Sequence, residues 1–171
     1  MPFVLLLGGA RSGKSAKAAR LASDSGLPVT FIATALAGDG EMAERIARHR
    51  RARPDAWRTV EAPVDLLGAV QAADGRDFLV IDCLTLWVSN LLGQAATAAQ
   101  IDAAADAIVE ALDGRRSVVV TNEVGMGIVP VNPLARQFRD VLGSVNARFA
   151  ASAERAVLMV AGRALNLSAA E

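Results

Sequence analysis

The segment between residues 3 and 15 constrains the fold most. Phe3-Val4-Leu5-Leu6-Leu7 is a continuous apolar run, followed directly by Gly8-Gly9-Ala10-Arg11-Ser12-Gly13-Lys14-Ser15 and then by an alanine-rich stretch. An uninterrupted apolar run suits a strand buried on both faces, the kind found in parallel sheets. Glycines at its end let the backbone curl so that several N–H groups converge, and the helix that follows adds positive potential at its N-terminus. The eight residues fit G-x-x-x-x-G-K-[ST], in which the lysine reaches the β and γ phosphates of a nucleotide and the final hydroxyl ligates Mg2+. Gly8, Gly9, Ala10, Arg11, Ser12, Gly13, Lys14 and Ser15 are therefore expected to bind a nucleoside triphosphate, with Lys14 acting on the transferred phosphate and Ser15 on the metal. A chance glycine-rich turn is the bland alternative. Such a match arises by accident in well under about one chain in fifty of this size, before a preceding strand and following helix are required.

The remaining chain repeats the strand-then-helix pattern. A helix is expected over residues 15–25, closed by Gly26, and a strand over Pro28–Ala33. Glu41 to about Ala52 carries Met42, Ile46 and His49 at helical spacing, and Pro54 ends that helix. Phe78–Asp82, Ser117–Thr121 and Ala156–Val160 read as buried strands, with amphipathic helices at about 83–92, 98–113 and 133–153. Alternation of this kind predicts an α/β P-loop fold, a mostly parallel sheet with helices on both faces. The 171 residues fit a single nucleotide-binding domain over 1–171.

Charge excludes some partners. Eighteen Lys and Arg balance eighteen Asp and Glu, so no global field attracts nucleic acid or an anionic membrane. The apolar runs fall well short of the roughly 20 residues needed to span a bilayer. Cys83 is the single cysteine and cannot form an internal disulfide, and no basic leader precedes the first apolar run; a cytoplasmic location is expected.

Two further features carry chemistry. Asp82 ends the apolar run FLVID, where a P-loop protein usually places a second metal anchor. It could equally cap the helix that begins at Cys83. Arg48-His49-Arg50-Arg51-Ala52-Arg53 holds four of the sixteen arginines around the only histidine. A solvated helix end accounts for most arginine runs, because cations favour the C-terminal dipole; the sharper reading is a polyphosphate clamp. A neutral imidazole at 49 can attack phosphorus and hold the transferred group as a phosphoramidate, dividing one displacement into two. Neighbouring guanidinium groups would favour its uncharged form and stabilise a departing pyrophosphate.

Several motifs in order complete a resemblance: GGARSGKS, IATA (Ile32–Ala35), Glu41-Met42 leading into RIARHRRARP (Arg45–Pro54), WRTVEAP (Trp57–Pro63), DCLTLWVSNLL (Asp82–Leu92) and TNEVGMGIVPVNPLARQFRDVLGSVNA (Thr121–Ala147). Over nearly its full length the chain resembles the bifunctional adenosylcobinamide kinase / adenosylcobinamide-phosphate guanylyltransferases of cobalamin biosynthesis. The resemblance implies phosphorylation of adenosylcobinamide by GTP or ATP with Mg2+, then transfer of GMP from GTP to adenosylcobinamide phosphate with release of pyrophosphate. It implies a guanylyl-histidine intermediate at His49 and GTP contacts from the loop Gly8–Ser15, from Ala33, Thr34 and Ala35, from Arg50, Arg51, Ala52 and Arg53, and from Glu61 and Asp82. It also implies a homotrimer on a recombinase-like fold. The TNEVG segment, with Asn122 and Glu123 just beyond a strand, is expected at the edge of the site without an assigned role.

Two rivals differ in chemistry. A P-loop small-molecule kinase would stop at the γ phosphate and leave His49 structural. A GTP-regulated switch would normally read guanine through N-K-x-D, which requires a lysine after a later strand. No lysine follows Lys17, so that motif is absent.

Overall fold

The structure, a computed structural model, describes residues 3–168 other than Asp39 and Ala52, and only the backbone of Glu41, Met42, Arg45 and His49. Its strands are β1 (Val4–Gly8), β2 (Val29–Ala33), β3 (Arg58–Glu61), β4 (Phe78–Asp82), β5 (Ser117–Val120), β6 (Arg155–Val160) and β7 (Arg163–Leu167). The helices are α1 (Lys14–Asp24), α2 (Gly40–Arg51), α3 (Leu66–Ala72), α4 (Leu84–Gly93), α5 (Ala98–Ala111) and α6 (Pro133–Ser152). The strands form one sheet in the order β3-β2-β4-β5-β1-β6-β7. All neighbours run parallel except β7, which turns back against β6.

Apolar strands let both faces bury side chains. Along β1, Leu5 and Leu7 enter the core beneath α3, α4, α5 and α6, while Leu6 enters the opposite core beneath α1. β4 divides the same way, with Leu79 and Ile81 on one side and Val80 on the other. Each such fully buried aliphatic side chain contributes about 1.5–3 kcal/mol. The larger core is closed by Trp87, completely packed, and by the edge-to-face pair Phe3–Phe149 with ring centroids 5.7 Å apart. α5 starts with a reciprocal capping box between Thr97 and Gln100, and α6 with Asn132 accepting from the amides of Leu134 and Ala135 ahead of Pro133.

The five strands read from apolar runs are all present, with bounds shifted by one residue at most, and the expected helices are present too. Three elements were not anticipated. β3 is four residues long with polar ends, α3 is seven residues with an internal glycine, and every residue of β7 is exposed. Two of the three lie at sheet edges, where a strand need not bury a continuous apolar face. Among the described residues no helix is long and apolar enough to cross a membrane.

This topology determines where the site lies. Leaving β1, the chain passes over β5 and β4 to reach β2, so a crevice opens at the carboxyl ends of the central strands. Register places Glu61, Ala33, Asp82 and Val120 side by side across β3, β2, β4 and β5 at that end.

Candidate active site

The loop after β1 is shaped by backbone contacts. Gly8 has φ of 149°, and a Cβ there would run into the Met159 carbonyl oxygen on β6. Gly13, at φ 99°, is the N-cap of α1 and supplies no side chain to the first turn. The first amides of α1 are thus left to a ligand, as an anion site requires. On the outer side, the Gly162 amide in the β6–β7 turn donates to the Ser12 carbonyl at 3.0 Å. β7 therefore has a role in the site: its turn braces the loop.

Lys14 is 7% exposed. Its Nζ donates to the carbonyl oxygens of Gly8 at 2.9 Å and Gly9 at 2.7 Å, and to Ser12 Oγ at 3.4 Å. Burial lowers its pKa from the ordinary lysine value, while Cys83 and Asp82 act to raise it. An ammonium held by neutral acceptors in a partly dry loop gains most from an anion, because its charge is otherwise poorly compensated.

The Ser15 hydroxyl donates to Asp82 Oδ2 at 3.2 Å, joining the start of α1 to the end of β4. Cys83, rather than Asp82, is the N-cap of α4. That removes the capping alternative and leaves the Asp82 carboxylate on the cleft beside Ser15. The Asp82–Cys83 peptide is cis. Thr34 is completely buried and fastens this corner: its hydroxyl donates to the Cys83 carbonyl at 2.7 Å and accepts from the Cys83 amide at 2.8 Å. Burial pushes the Cys83 thiol up to about 11, so at neutral pH it is an uncharged wall and not a nucleophile. On α4, Asn90 Nδ2 donates to the carbonyls of Thr34 at 2.8 Å and Pro63 at 2.9 Å, tying the loops after β2 and β3 together.

The opposite wall comes from α2 and β3. Ile46, Arg50, Arg53, Thr59 and Glu61 line it. The Arg53 guanidinium lies over the Phe31 ring with Cζ 3.4 Å from the centroid. Burial lowers the Arg53 pKa from its ordinary value, with Asp82 opposing and Arg50 adding to the shift. Arg48, Arg50 and Arg51 are exposed, and Arg53 is half-buried.

Between these walls is an open cleft of about 370 Å³. Of the residues expected at the site, Ala10, Arg11, Ser12, Gly13, Lys14 and Ser15 line it, as do Ala33, Ala35, Arg50, Arg53, Glu61 and Asp82. Gly8 and Gly9 contribute through the carbonyls that hold Lys14, and Thr34 through the Cys83 backbone. Arg51 does not line the cleft. Ala52 and the His49 side chain lie outside the described residues; the His49 backbone is in α2, three positions after Ile46 and one before Arg50, both on the cleft.

Asn122, given no role by the sequence, also lines the cleft. Its amide donates to Thr85 Oγ1 at 2.7 Å, and its carbonyl accepts from Asn146 Nδ2 at 3.0 Å. Asn146 Oδ1 in turn accepts from the Thr121 hydroxyl at 2.7 Å, so α4 and α6 both grip the strand end that carries Asn122. A hydrogen-bond pairing across 24 or more residues leaves no local trace in a sequence.

Comparison with known proteins shows the family. The family described as cobinamide kinase / cobinamide phosphate guanyltransferase matches residues 4–167. The bifunctional adenosylcobalamin biosynthesis protein CobP of Pseudomonas aeruginosa is 46% identical over 161 residues, covering 92% of each chain. The corresponding CobU of Escherichia coli K12 is 41% identical, covering 94% of this chain and 96% of its own. Among solved structures, flagellar accessory protein FlaH from Methanocaldococcus jannaschii superposes with TM-score 0.53 at 15% identity, covering 97% of this chain and 76% of its own. The RadB recombinase superposes at 0.54 and 13%, covering 92% and 73%. At such identities the last two show the fold alone, which is the P-loop, recombinase-like one. Matched from residue 4 to residue 167 and 46% identical to a relative over 92% of each chain, the chain belongs to the cobinamide kinase / cobinamide phosphate guanyltransferase family.

Proposed function

We propose that this single cleft performs two successive transfers in adenosylcobalamin biosynthesis. In the first, a hydroxyl of adenosylcobinamide attacks the γ phosphorus of GTP or ATP and the nucleoside diphosphate departs. In the second, the His49 imidazole attacks the α phosphorus of GTP and releases pyrophosphate; an oxygen of adenosylcobinamide phosphate then attacks the phosphoramidate, frees the imidazole and gives adenosylcobinamide-GDP. The observation that carries this reading is the cleft itself, where Lys14 with the unclaimed α1 amides faces Arg50 and Arg53 across the Ser15–Asp82 pair.

Each group has a distinct task. Lys14 and the first amides of α1 bind the terminal phosphates and stabilise the charge that accumulates there during transfer. Arg50 and Arg53 neutralise the departing pyrophosphate. Ser15 and Asp82 suit Mg2+: both present oxygen, and this ion is usually held by one or two protein oxygens together with substrate phosphates. When bound, Mg2+ would neutralise phosphate charge. Among the described residues no group of three or more His, Cys, Asp or Glu is placed to hold a metal without the nucleotide's help. The place of His49 in α2, between two cleft-lining positions, supports its role as nucleophile.

We further assign the protein to the cytoplasm as a homotrimer. The β5–α6 connection presents Met126, Ile128, Val129 and Val131 to solvent, with Leu134 beside them, an apolar surface that subunit contact would cover; sedimentation at micromolar concentration reads the state directly. For the chemistry, incubation with Mg2+ and GTP labelled at the α phosphate should give an acid-labile, alkali-stable adduct on the protein. His49→Ala should lose the adduct while still phosphorylating adenosylcobinamide. An unlabelled wild type, or a variant labelled as strongly as the wild type, would sink the nucleophile assignment and leave a kinase only.

A further inference from the structure

Arg53, which lines the cleft, makes no salt bridge among the described residues, although Asp82 is near enough to favour its charged form. Arg53 sits with Cζ 3.4 Å above the centre of the Phe31 ring. That ring is itself stacked on Trp57, with centroids 6.5 Å apart and planes 23° from parallel. Phe31 is only 5% exposed and belongs to the core between the sheet and α1, with Trp57 packed against it. The arrangement is made by a short reversal. The Arg53 amide donates to the Arg50 carbonyl at 3.2 Å and the Trp57 amide to the Pro54 carbonyl at 3.0 Å, folding the α2–β3 connection back over β2. Thr59, paired with Phe31 in the sheet, accepts from Arg53 Nη1 with its hydroxyl oxygen at 3.5 Å, too long to fix the group by itself.

We propose that Phe31 and Trp57 are positioning residues that hold the Arg53 guanidinium on the cleft as a clamp for the phosphates of the nucleotide. Arginines are most often fixed by carboxylates, but a carboxylate bound to Arg53 would compete with the phosphate the clamp is meant to take. An aromatic face attracts the cation through its quadrupole and leaves the N–H fork open. Trp57 packs on Phe31 and restricts the ring, and so restricts where the guanidinium can rest. Partial burial strengthens the effect, since the cation is held in a partly desolvated place where an incoming anion gains more than it would at a wet surface.

The inference rests on the cleft being the nucleotide site, and two ligands keep the two ideas separable. Binding of GTP and of inorganic tripolyphosphate to the intact protein is measured by titration calorimetry, with a melting curve for every variant. Arg53→Ala should weaken both ligands about tenfold, the size of one charge-assisted hydrogen bond. Phe31→Leu, which keeps an apolar side chain but removes the ring, should weaken both about three- to tenfold, and Phe31→Tyr should restore affinity to within about twofold. The Phe31→Leu, Arg53→Ala double variant should bind no more weakly than Arg53→Ala alone, because the ring acts only through the arginine. Trp57→Leu, at a half-buried position that tolerates change better, should give a smaller loss, also absent in the Arg53→Ala background. Multiplicative losses in the doubles, or ring variants with lowered melting temperature and unchanged affinity, would overturn the proposal and make the pair merely structural. If the wild type takes tripolyphosphate but not GTP, the nucleotide reading fails while the clamp stands; if it takes neither, both fail.

Discussion

The two cationic walls of the cleft are held by opposite means. On one side Lys14 is buried, and its three contacts all come from its own loop, within six residues along the chain. On the other, Arg53 is half-buried over Phe31, twenty-two positions earlier, a ring that Trp57 stacks on, and its Nη1 reaches Thr59 Oγ1 at 3.5 Å. The lysine wall is fixed by local backbone geometry and the arginine wall by tertiary packing of side chains. The first should therefore be rigid and intolerant of small changes, whereas the second should fail gradually. A site that must act on the γ phosphate in one reaction and the α phosphate in the other would use a fixed anchor and an adjustable one.

The largest effect should come from Lys14→Ala. Removing the ammonium deprives the transferred phosphate of its buried donor, and losing one such donor costs on the order of 10²–10³ in rate. Phosphoryl transfer to adenosylcobinamide and GTP affinity should fall together; a variant with ordinary kinase activity would break the asymmetry between the walls. Gly8→Ala probes the same wall through the backbone. The added Cβ meets the Met159 carbonyl oxygen on β6 and, at 2.9 Å, Ser12 Oγ, in a conformation that side chains rarely adopt. A destabilisation of about 2–3 kcal/mol in denaturant unfolding is expected. Unfolding at the wild-type midpoint would mean that the loop has more freedom than its contacts suggest.

The back of the cleft gives an intermediate test. Asn146 is 5% exposed and bridges the Thr121 hydroxyl and the Asn122 carbonyl. Asn146→Leu preserves bulk but leaves both groups unpaired in the interior, so about 1–3 kcal/mol of stability should be lost. If Asn122 depends on that grip, turnover should fall by more than GTP affinity does. Equal losses would instead assign Asn146 to the fold alone.

The contrast between local and tertiary construction also explains what could be read from the sequence. β1, β2, β4, β5 and β6 declare themselves as apolar runs because each is buried on both faces. The glycine loop is legible for a related reason: its lysine is held by groups within six residues and its glycines mark the backbone turns, although Met159 and Gly162 support it from a distance that leaves no local signal. Glu61, Ala33 and Asp82 become neighbours only once the order β3-β2-β4 is known; their expectation as a group came from resemblance and not from spacing. Phe31 read as an ordinary strand residue and Trp57 as part of a motif without a task. Nothing local says that a guanidinium lies over one and the other is stacked beneath. β7 has no apolar signature because none of its residues is buried, although its turn supports Ser12.

The smallest expected effect separates members of the arginine cluster that the sequence treats alike. Arg50, Arg51 and Arg53 lie within four residues, yet Arg50 and Arg53 line the cleft while Arg51 does not. Arg51 follows Arg50 by about 100° of rotation at the last position of α2 and falls outside the cleft lining, whereas Arg53 lies beyond the helix in the connection to β3. Arg51 can reach a cleft-bound phosphate only through long-range attraction, which about 8 Å of screening length at physiological salt largely removes. Arg51→Ala should therefore weaken GTP by less than about twofold, where Arg53→Ala costs about tenfold. Repeating both measurements at low and high salt sharpens the distinction. The Arg51 effect should vanish as ions are added, while the Arg53 effect should persist because its guanidinium is partly withdrawn from solvent. Equal and equally salt-sensitive losses would show that the cluster acts as a diffuse field, and the aromatic seat beneath Arg53 would then confer no advantage on that arginine.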